Sequence, residues 1–211
     1  MVQSKFGVFP TSFFPSVAYL SLLASCDKAA IEGYETFEKQ TYRNRTYIQS
    51  ANGLQALIVP LKRNHLAKQT TNQMRISYAE NWNAKHWRAI FSAYGKSPFF
   101  EHFASEVEVF FTRRYDLLLD LNNEILAFCN KHFALQTQVV STQNYLAEHQ
   151  NDYRQAFKVQ NQGTEQGFFP PYYQCFGDKL GFYQNLSCLD LLFCLGYDSR
   201  TYLRNVIYTF R

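Results

Sequence analysis

Two carboxylates, a histidine and a cluster of bases are the residues whose types and spacing suit chemistry. Glu32 and Glu35 stand three apart in Ile31-Glu32-Gly33-Tyr34-Glu35. Such a pair can move protons to and from a substrate, and an opposing arginine favours the base by holding a carboxyl ionised. Just downstream, Lys39, Tyr42, Arg43, Asn44 and Arg45 form a candidate binding set. A guanidinium offers a planar fork that fits phosphate or carboxylate. His86, four residues after Trp82 at the edge of a helix's apolar face, is a candidate general acid or base. Each has a structural counterpart. The acids and arginines can form an ion pair that holds a loop shut, the bases can be a solvated edge, and His86 can bond backbone half-buried.

Other residues that look chemical read as structural. Ser187 and Asp190 have the spacing of a helix N-cap with an acid at its third position. Cys175 follows Pro-Pro-Tyr-Tyr-Gln, but no feature places a histidine beside it, so it reads as a packed thiol. The five cysteines form no C-x-x-C pair and no zinc spacing, which points to reduced thiols and no metal site. There is no phosphate-binding loop of the G-x-x-x-x-G-K type and no G-x-G-x-x-G, so the sequence assigns no cofactor.

The elements that must position these residues read as follows. Residues 6–9 are a strand, 14–24 a helix opened by Pro15, and 29–32 a second strand. Residues 46–50 and 54–61 flank Ala51-Asn52-Gly53, a strong hairpin signal because Asn and Gly both tolerate positive φ. A further strand is expected over 74–77. Helices are expected over 82–94, with Trp87, Ile90, Phe91 and Tyr94 as the apolar face, and over 102–112 and 116–132. Then come a strand at 138–141, a polar loop over 151–167, and helices over 187–195 and 198–208. With 46% hydrophobic and 18% charged residues in 211, this is a folded α/β (or α+β) chain. It reads as one domain over 1–211, with a mixed β-sheet that includes the Asn52-Gly53 hairpin, flanked by helices.

The net charge of +4 is too small to mark a nucleic-acid binder. Its distribution says more. Residues 39–79 carry seven bases and no acid, leaving the remainder with 14 bases against 17 acids. The hairpin should bring Arg43 and Arg45 near Lys62 and Arg63, making one basic region suited to an anionic small molecule. No run is long and apolar enough for a transmembrane helix. Leu23-Ala24-Ser25-Cys26 has the look of a lipoprotein cleavage site, but the stretch before it contains Pro10, Pro15 and several hydroxyl residues, and only Lys5 precedes it. A cytoplasmic location is expected.

The chain also resembles the WbqC-like family. The resemblance is carried by Phe13-Phe14-Pro15-Ser16-Val17-Ala18-Tyr19, Ile31-Glu32, Gln40-Thr41-Tyr42-Arg43-Asn44-Arg45, Asn52-Gly53 and Val59-Pro60. It continues through His86-Trp87-Arg88, Ser97-Pro98-Phe99-Phe100, Asp152-Tyr153-Arg154, Pro171-Tyr172-Tyr173-Gln174 and Asn185-Leu186-Ser187 to Leu189-Asp190-Leu191-Leu192-Phe193. These short motifs span nearly the whole chain in order, and are most similar to the subgroup common in Bacteroidetes-type bacteria. The family tends to carry a paired acidic motif after the second strand. Here the corresponding stretch is Glu32-Gly33-Tyr34-Glu35, so the pair is altered.

The resemblance implies a bacterial protein associated with surface-polysaccharide or O-antigen genes. The expectation is a transferase of polysaccharide or amino-sugar biosynthesis, moving an acyl or aminoacyl group to an anionic, sugar-nucleotide-like substrate. The alternative is a non-catalytic accessory or ligand-binding protein. A nucleic-acid partner is disfavoured, and the sequence does not specify an oligomeric state.

Overall fold

The computed structural model describes residues 5–62, 68–147, 149–157 and 167–208. Strand β1 (Phe6–Pro10) leads into helix α1 (Val17–Ala24) and returns as β2 (Lys28–Glu32), parallel to β1 with Phe6 opposite Lys28 and Pro10 opposite Glu32. Ser16 caps α1 by accepting from the Tyr19 amide. Residues Val17 to Leu23 are all buried, as a helix apolar on every side requires. The turn into α1 places Phe14 at φ 41, a left-handed conformation costly for a bulky residue. Its carbonyl accepts from the Thr46 and Ser187 hydroxyls, which hold the turn.

β2 is followed by a hairpin of β3 (Arg45–Ser50) and β4 (Gly53–Ile58), then by helices α2 (Trp82–Tyr94), α3 (Phe100–Thr112) and α4 (Leu118–His132). β5 (Gln138–Ser141) then pairs parallel with β2. On the far side of β1, Val8 bonds the Asn151 carbonyl and the Tyr153 amide at 2.9 and 2.7 Å. The segment around Asp152 therefore extends the parallel array beyond β1. The chain ends with α5 (Gly177–Leu180), α6 (Cys188–Leu195), α7 (Ser199–Asn205) and a short ladder of β6 (Gly167–Phe168) with β7 (Ile207–Tyr208). One hydrophobic cluster runs from Phe9 to Val206 and draws on all the larger helices.

The α+β class is as expected, and among the described residues the strands divide among three small sheets rather than one mixed sheet, the hairpin being a sheet of its own. Within it Ser50 faces Gly53, so Ala51-Asn52 is the loop. Gly53 takes the positive φ, at 102°, and Asn52 does not. Residues 74–77 make isolated bridges rather than a strand. On α2 the buried stripe is Trp82, His86, Ile90, Ala93 and Tyr94. Phe91, expected on that face, is exposed, because the stripe follows the i, i+4 row from Trp82. The last helix stops at Asn205, where Ile207 and Tyr208 pair with β6 instead. Of the polar loop expected over 151–167, residues 158–166 lie outside the described residues, as does Arg63. Among the described residues no helix is long and apolar enough to cross a membrane.

Candidate active site

The parallel strands β1, β2 and β5 end together at Pro10, Glu32 and Ser141. Crevices outside the carboxyl ends of parallel strands are where open α/β sheets bind ligands. Here an open cleft of about 420 Å³ is walled by Tyr34, Glu35 and Glu38 from the segment after β2, and by Tyr145, Asp152 and Arg154.

Glu32, the last residue of β2, is fully buried. Its Oε1 accepts from the Tyr34 amide (2.7 Å) and the Thr142 hydroxyl (3.1 Å), and its Oε2 accepts from the Leu146 amide (2.8 Å). Arg154 Nη1 lies 3.8 Å from Oε2. Glu32 thus ties the segment after β2 to the segment after β5. This is a positioning role, with every bond spent inside the protein.

Glu35 differs. Its backbone carbonyl accepts from the Thr71 amide and hydroxyl, which fixes the residue. Its side-chain Oε1 takes two bonds from Arg43, from Nε at 2.9 Å and Nη2 at 2.7 Å. No donor among the described residues reaches Oε2. Burial pushes the carboxyl above its ordinary value, against the pull of Arg43. Arg43 is only 1% exposed, and its Nη2 also donates to the Arg154 carbonyl at 3.3 Å. Arg154 in turn grips Asp152 through Nε and Nη2, donates from Nη1 to the Leu146 carbonyl, and stacks on the Tyr145 ring at 4.8 Å. Burial works against the Asp152 charge, but these arginine bonds hold its carboxyl below the ordinary range.

Two buried arginines are clasped by carboxylates, Arg43 by Glu35 and Arg154 by Asp152 and Glu32, and the charged residues lining the cleft are Glu35, Glu38 and Asp152 against Arg154. The wall is therefore net acidic. It suits a proton-accepting carboxylate beside a polar ligand better than an anion.

Several residues singled out in the sequence stand elsewhere. The expected anionic cradle is not assembled: Arg43 is sealed in by Glu35, because a buried guanidinium needs a carboxylate more than a surface one does. Asn44 donates to the Val59 carbonyl and accepts the Val59 amide on its own carbonyl, which closes the open end of the hairpin. Tyr42 is buried edge-on to Tyr47. Arg45 is half-buried opposite Ile58, and Lys39 is exposed. Arg75 pairs on the surface with Asp116. His86 is buried among Phe13, Trp82 and Phe111, where its Nε2 accepts the Ile58 amide at 3.2 Å. Burial lowers its pKa to about 4, so it is neutral and serves the hairpin edge, and it does not line the cleft.

Asp152, Arg154, Tyr34 and Tyr145 were not singled out from the sequence as site residues. The signal for the first two was present in Asp152-Tyr153-Arg154, since residues two apart on an extended segment face the same way. Ser187 caps α6 as expected, but Asp190 is more than a capping acid. It is fully buried and accepts from the Tyr94 and Tyr172 hydroxyls and from Gln174, and burial pushes its pKa up to about 6.

Comparison with known proteins adds to this geometry. The uncharacterised protein Rv1507c of Mycobacterium tuberculosis is 24% identical over 231 residues, covering 96% of this chain and 98% of its own. No solved structure matches the chain. A model of the WbqC-like protein family matches residues 11–166, which takes in α1, β2, the acidic segment, the hairpin and the Asp152-Arg154 clasp. The chain belongs to the WbqC-like protein family.

Proposed function

We propose that this protein is a group-transfer enzyme of bacterial surface-polysaccharide or amino-sugar biosynthesis, with Glu35 as its general base. The observation that carries the reading is the asymmetry of Glu35: one oxygen is pinned by Arg43 while no donor among the described residues reaches the other, on a carboxyl that burial raises above its ordinary value. Such a group takes the proton from a nucleophilic amine or hydroxyl as it attacks an acyl or aminoacyl donor. Arg43 orients the carboxylate. Glu32 and the Asp152–Arg154 pair fix the walls, and Tyr34 and Tyr145 offer faces for a sugar ring.

The acidic wall favours an amine-bearing acceptor. The exposed Lys39, next in the chain to the cleft-lining Glu38, is a base that could meet an anionic group on the same substrate. A cytoplasmic location fits the five free thiols. The non-catalytic alternative draws on the fact that both arginines at the cleft are already paired, which leaves a ligand-binding role without chemistry.

A thermal-shift screen of amino sugars and nucleotide-linked amino sugars, followed by product detection by mass spectrometry with acyl donors, tests the reading. Gln at position 35 keeps an oxygen for Arg43. Glu35→Gln should therefore stay folded by circular dichroism, bind the acceptor, and lose turnover by roughly 10²–10⁴-fold. Turnover equal to that of the unsubstituted protein would overturn the assignment of Glu35. Binding of the whole ligand class without product would favour the accessory role.

A further inference from the structure

Cys175 lies on the turn before α5, and Cys194 sits near the end of α6. Their Sγ atoms are 4.0 Å apart. Cys175 is half-exposed, whereas the other four cysteines are buried. The facing is imposed by the neighbouring clamp. Asp190, one helical turn before Cys194, accepts from Tyr172 and from Gln174 at 3.0 Å, and Gln174 is the residue just before Cys175. Gln174 also bonds the Tyr183 amide and carbonyl at 2.9 Å each. The strap that carries Cys175 is therefore fastened to α6 one turn away from the thiols.

We propose that Cys175 and Cys194 form a dithiol oxidation site that reacts with hydroperoxides and closes to an intramolecular disulfide. The half-exposed Cys175 thiolate attacks the peroxide oxygen. With hydrogen peroxide, the O–O bond breaks, Cys175 becomes a sulfenic acid and one water leaves. The Cys194 sulfur then attacks the Cys175 sulfur. The S–S bond forms, the S–O bond breaks, and a second water carries away the oxygen and the Cys194 proton. Two thiols are oxidised by the loss of two hydrogens, and one peroxide is reduced to two waters.

Closure needs the sulfurs to approach to about 2.05 Å, which a turn residue with one side in solvent can supply. The roles follow from the environment. The hydrogen bond between the two thiols holds Cys175 below its ordinary value, and the same bond together with burial pushes Cys194 up. Cys175 is thus the attacking thiolate, and Cys194 resolves the sulfenic acid. The pair Cys129 and Cys188 is an internal control. Its sulfurs are closer, at 3.7 Å, yet both residues are buried to within 1% and burial drives Cys129 away from the thiolate. Proximity without access should leave that pair reduced.

The test treats the reduced full-length chain with hydrogen peroxide, blocks free thiols with iodoacetamide, and maps the peptides. The expected result is a Cys175–Cys194 cross-linked peptide, with free thiols in denaturant falling from five to three. Reductant should restore five and reverse a rise in the thermal midpoint. Cys194→Ala should stop at a Cys175 sulfenic acid that dimedone traps. Cys175→Ala should leave Cys194 reduced. A Cys175 sulfinic acid with Cys194 still free in the unsubstituted protein, or a Cys129–Cys188 bond formed first, would overturn the proposal.

Discussion

Replacing Arg43 by Met removes the guanidinium that bonds the Glu35 carboxylate, on a residue only 7% exposed. The cost has a ceiling set by proton uptake. Once the charge becomes too expensive, Glu35 binds a proton, and its ordinary value is 4.5. Holding it neutral at pH 7 costs about 1.4 kcal/mol for each unit between 4.5 and 7, or about 3 kcal/mol. That agrees with the roughly 3–5 kcal/mol lost when one partner of a buried pair is removed. The sign follows from linkage. In the variant the folded state binds a proton that the unfolded chain releases above 4.5, so stability falls as pH rises. The deficit should therefore shrink by up to about 1.4 kcal/mol per unit as pH drops from 7, levelling off where the unsubstituted Glu35, itself raised above 4.5, also takes up a proton. The reverse substitution, Glu35→Leu, strands a guanidinium that stays charged throughout, so its deficit should not relax toward low pH. The double variant should recover most of either loss, because neither charge is then left alone. Urea titrations followed through Trp82 and Trp87 fluorescence at pH 5, 6, 7 and 8 measure all three. An Arg43→Met deficit that stays flat across that range would refute the argument that a buried, uncompensated carboxylate sets the cost.

Two further perturbations test buried groups away from the cleft. His86 has its pKa lowered to about 4 by burial, so its contribution is present above 6.5 and is lost as pH falls from 6.5 toward 4, for about 3 kcal/mol in all. His86→Gln should flatten that part of the stability profile in thermal melts between pH 4.5 and 7.5, and an unchanged slope would contradict the assignment. Tyr172→Phe removes one of three donors to Asp190, whose pKa burial has already pushed up to about 6. Because a carboxyl with a raised folded-state pKa loses stability as pH rises, the variant should cost roughly 1.5–3 kcal/mol at pH 8 and less at pH 5. Equal losses at both values in urea titrations would count against a charged Asp190.

Local signals were the legible part of the fold. Apolar periodicity located α2 to within its observed ends of Trp82 and Tyr94, and Ser187 was recognised as the cap of α6. What depended on partners distant in sequence was not legible. The buried face of α2 is turned so that Phe91 is outside, because the hairpin amide of Ile58 claims His86 and fixes the helix rotation. The stretch after Asn205 is short and apolar, which reads equally well as helix, and only its pairing with Gly167–Phe168 decides for strand. Asn52-Gly53 marked the turn, where Gly53 supplies the positive-φ residue.

The site shows the same division between local and distant information. Counting charge along the chain isolates residues 39–79 as basic, and the count is correct. Yet a linear count cannot tell a guanidinium that faces solvent from one that closes the core. Arg43 is among the largest fully buried side chains in the protein, and the acid that compensates it, Glu35, lies just outside the acid-free window. With that pair formed, the basic segment contributes a buried cation to a cleft whose open face is acidic. The electrostatic sign a ligand meets is then set by which charges have been consumed in folding. On the proposed reading, that turns the inference from composition away from capture of an anion and toward Glu35 as a proton acceptor.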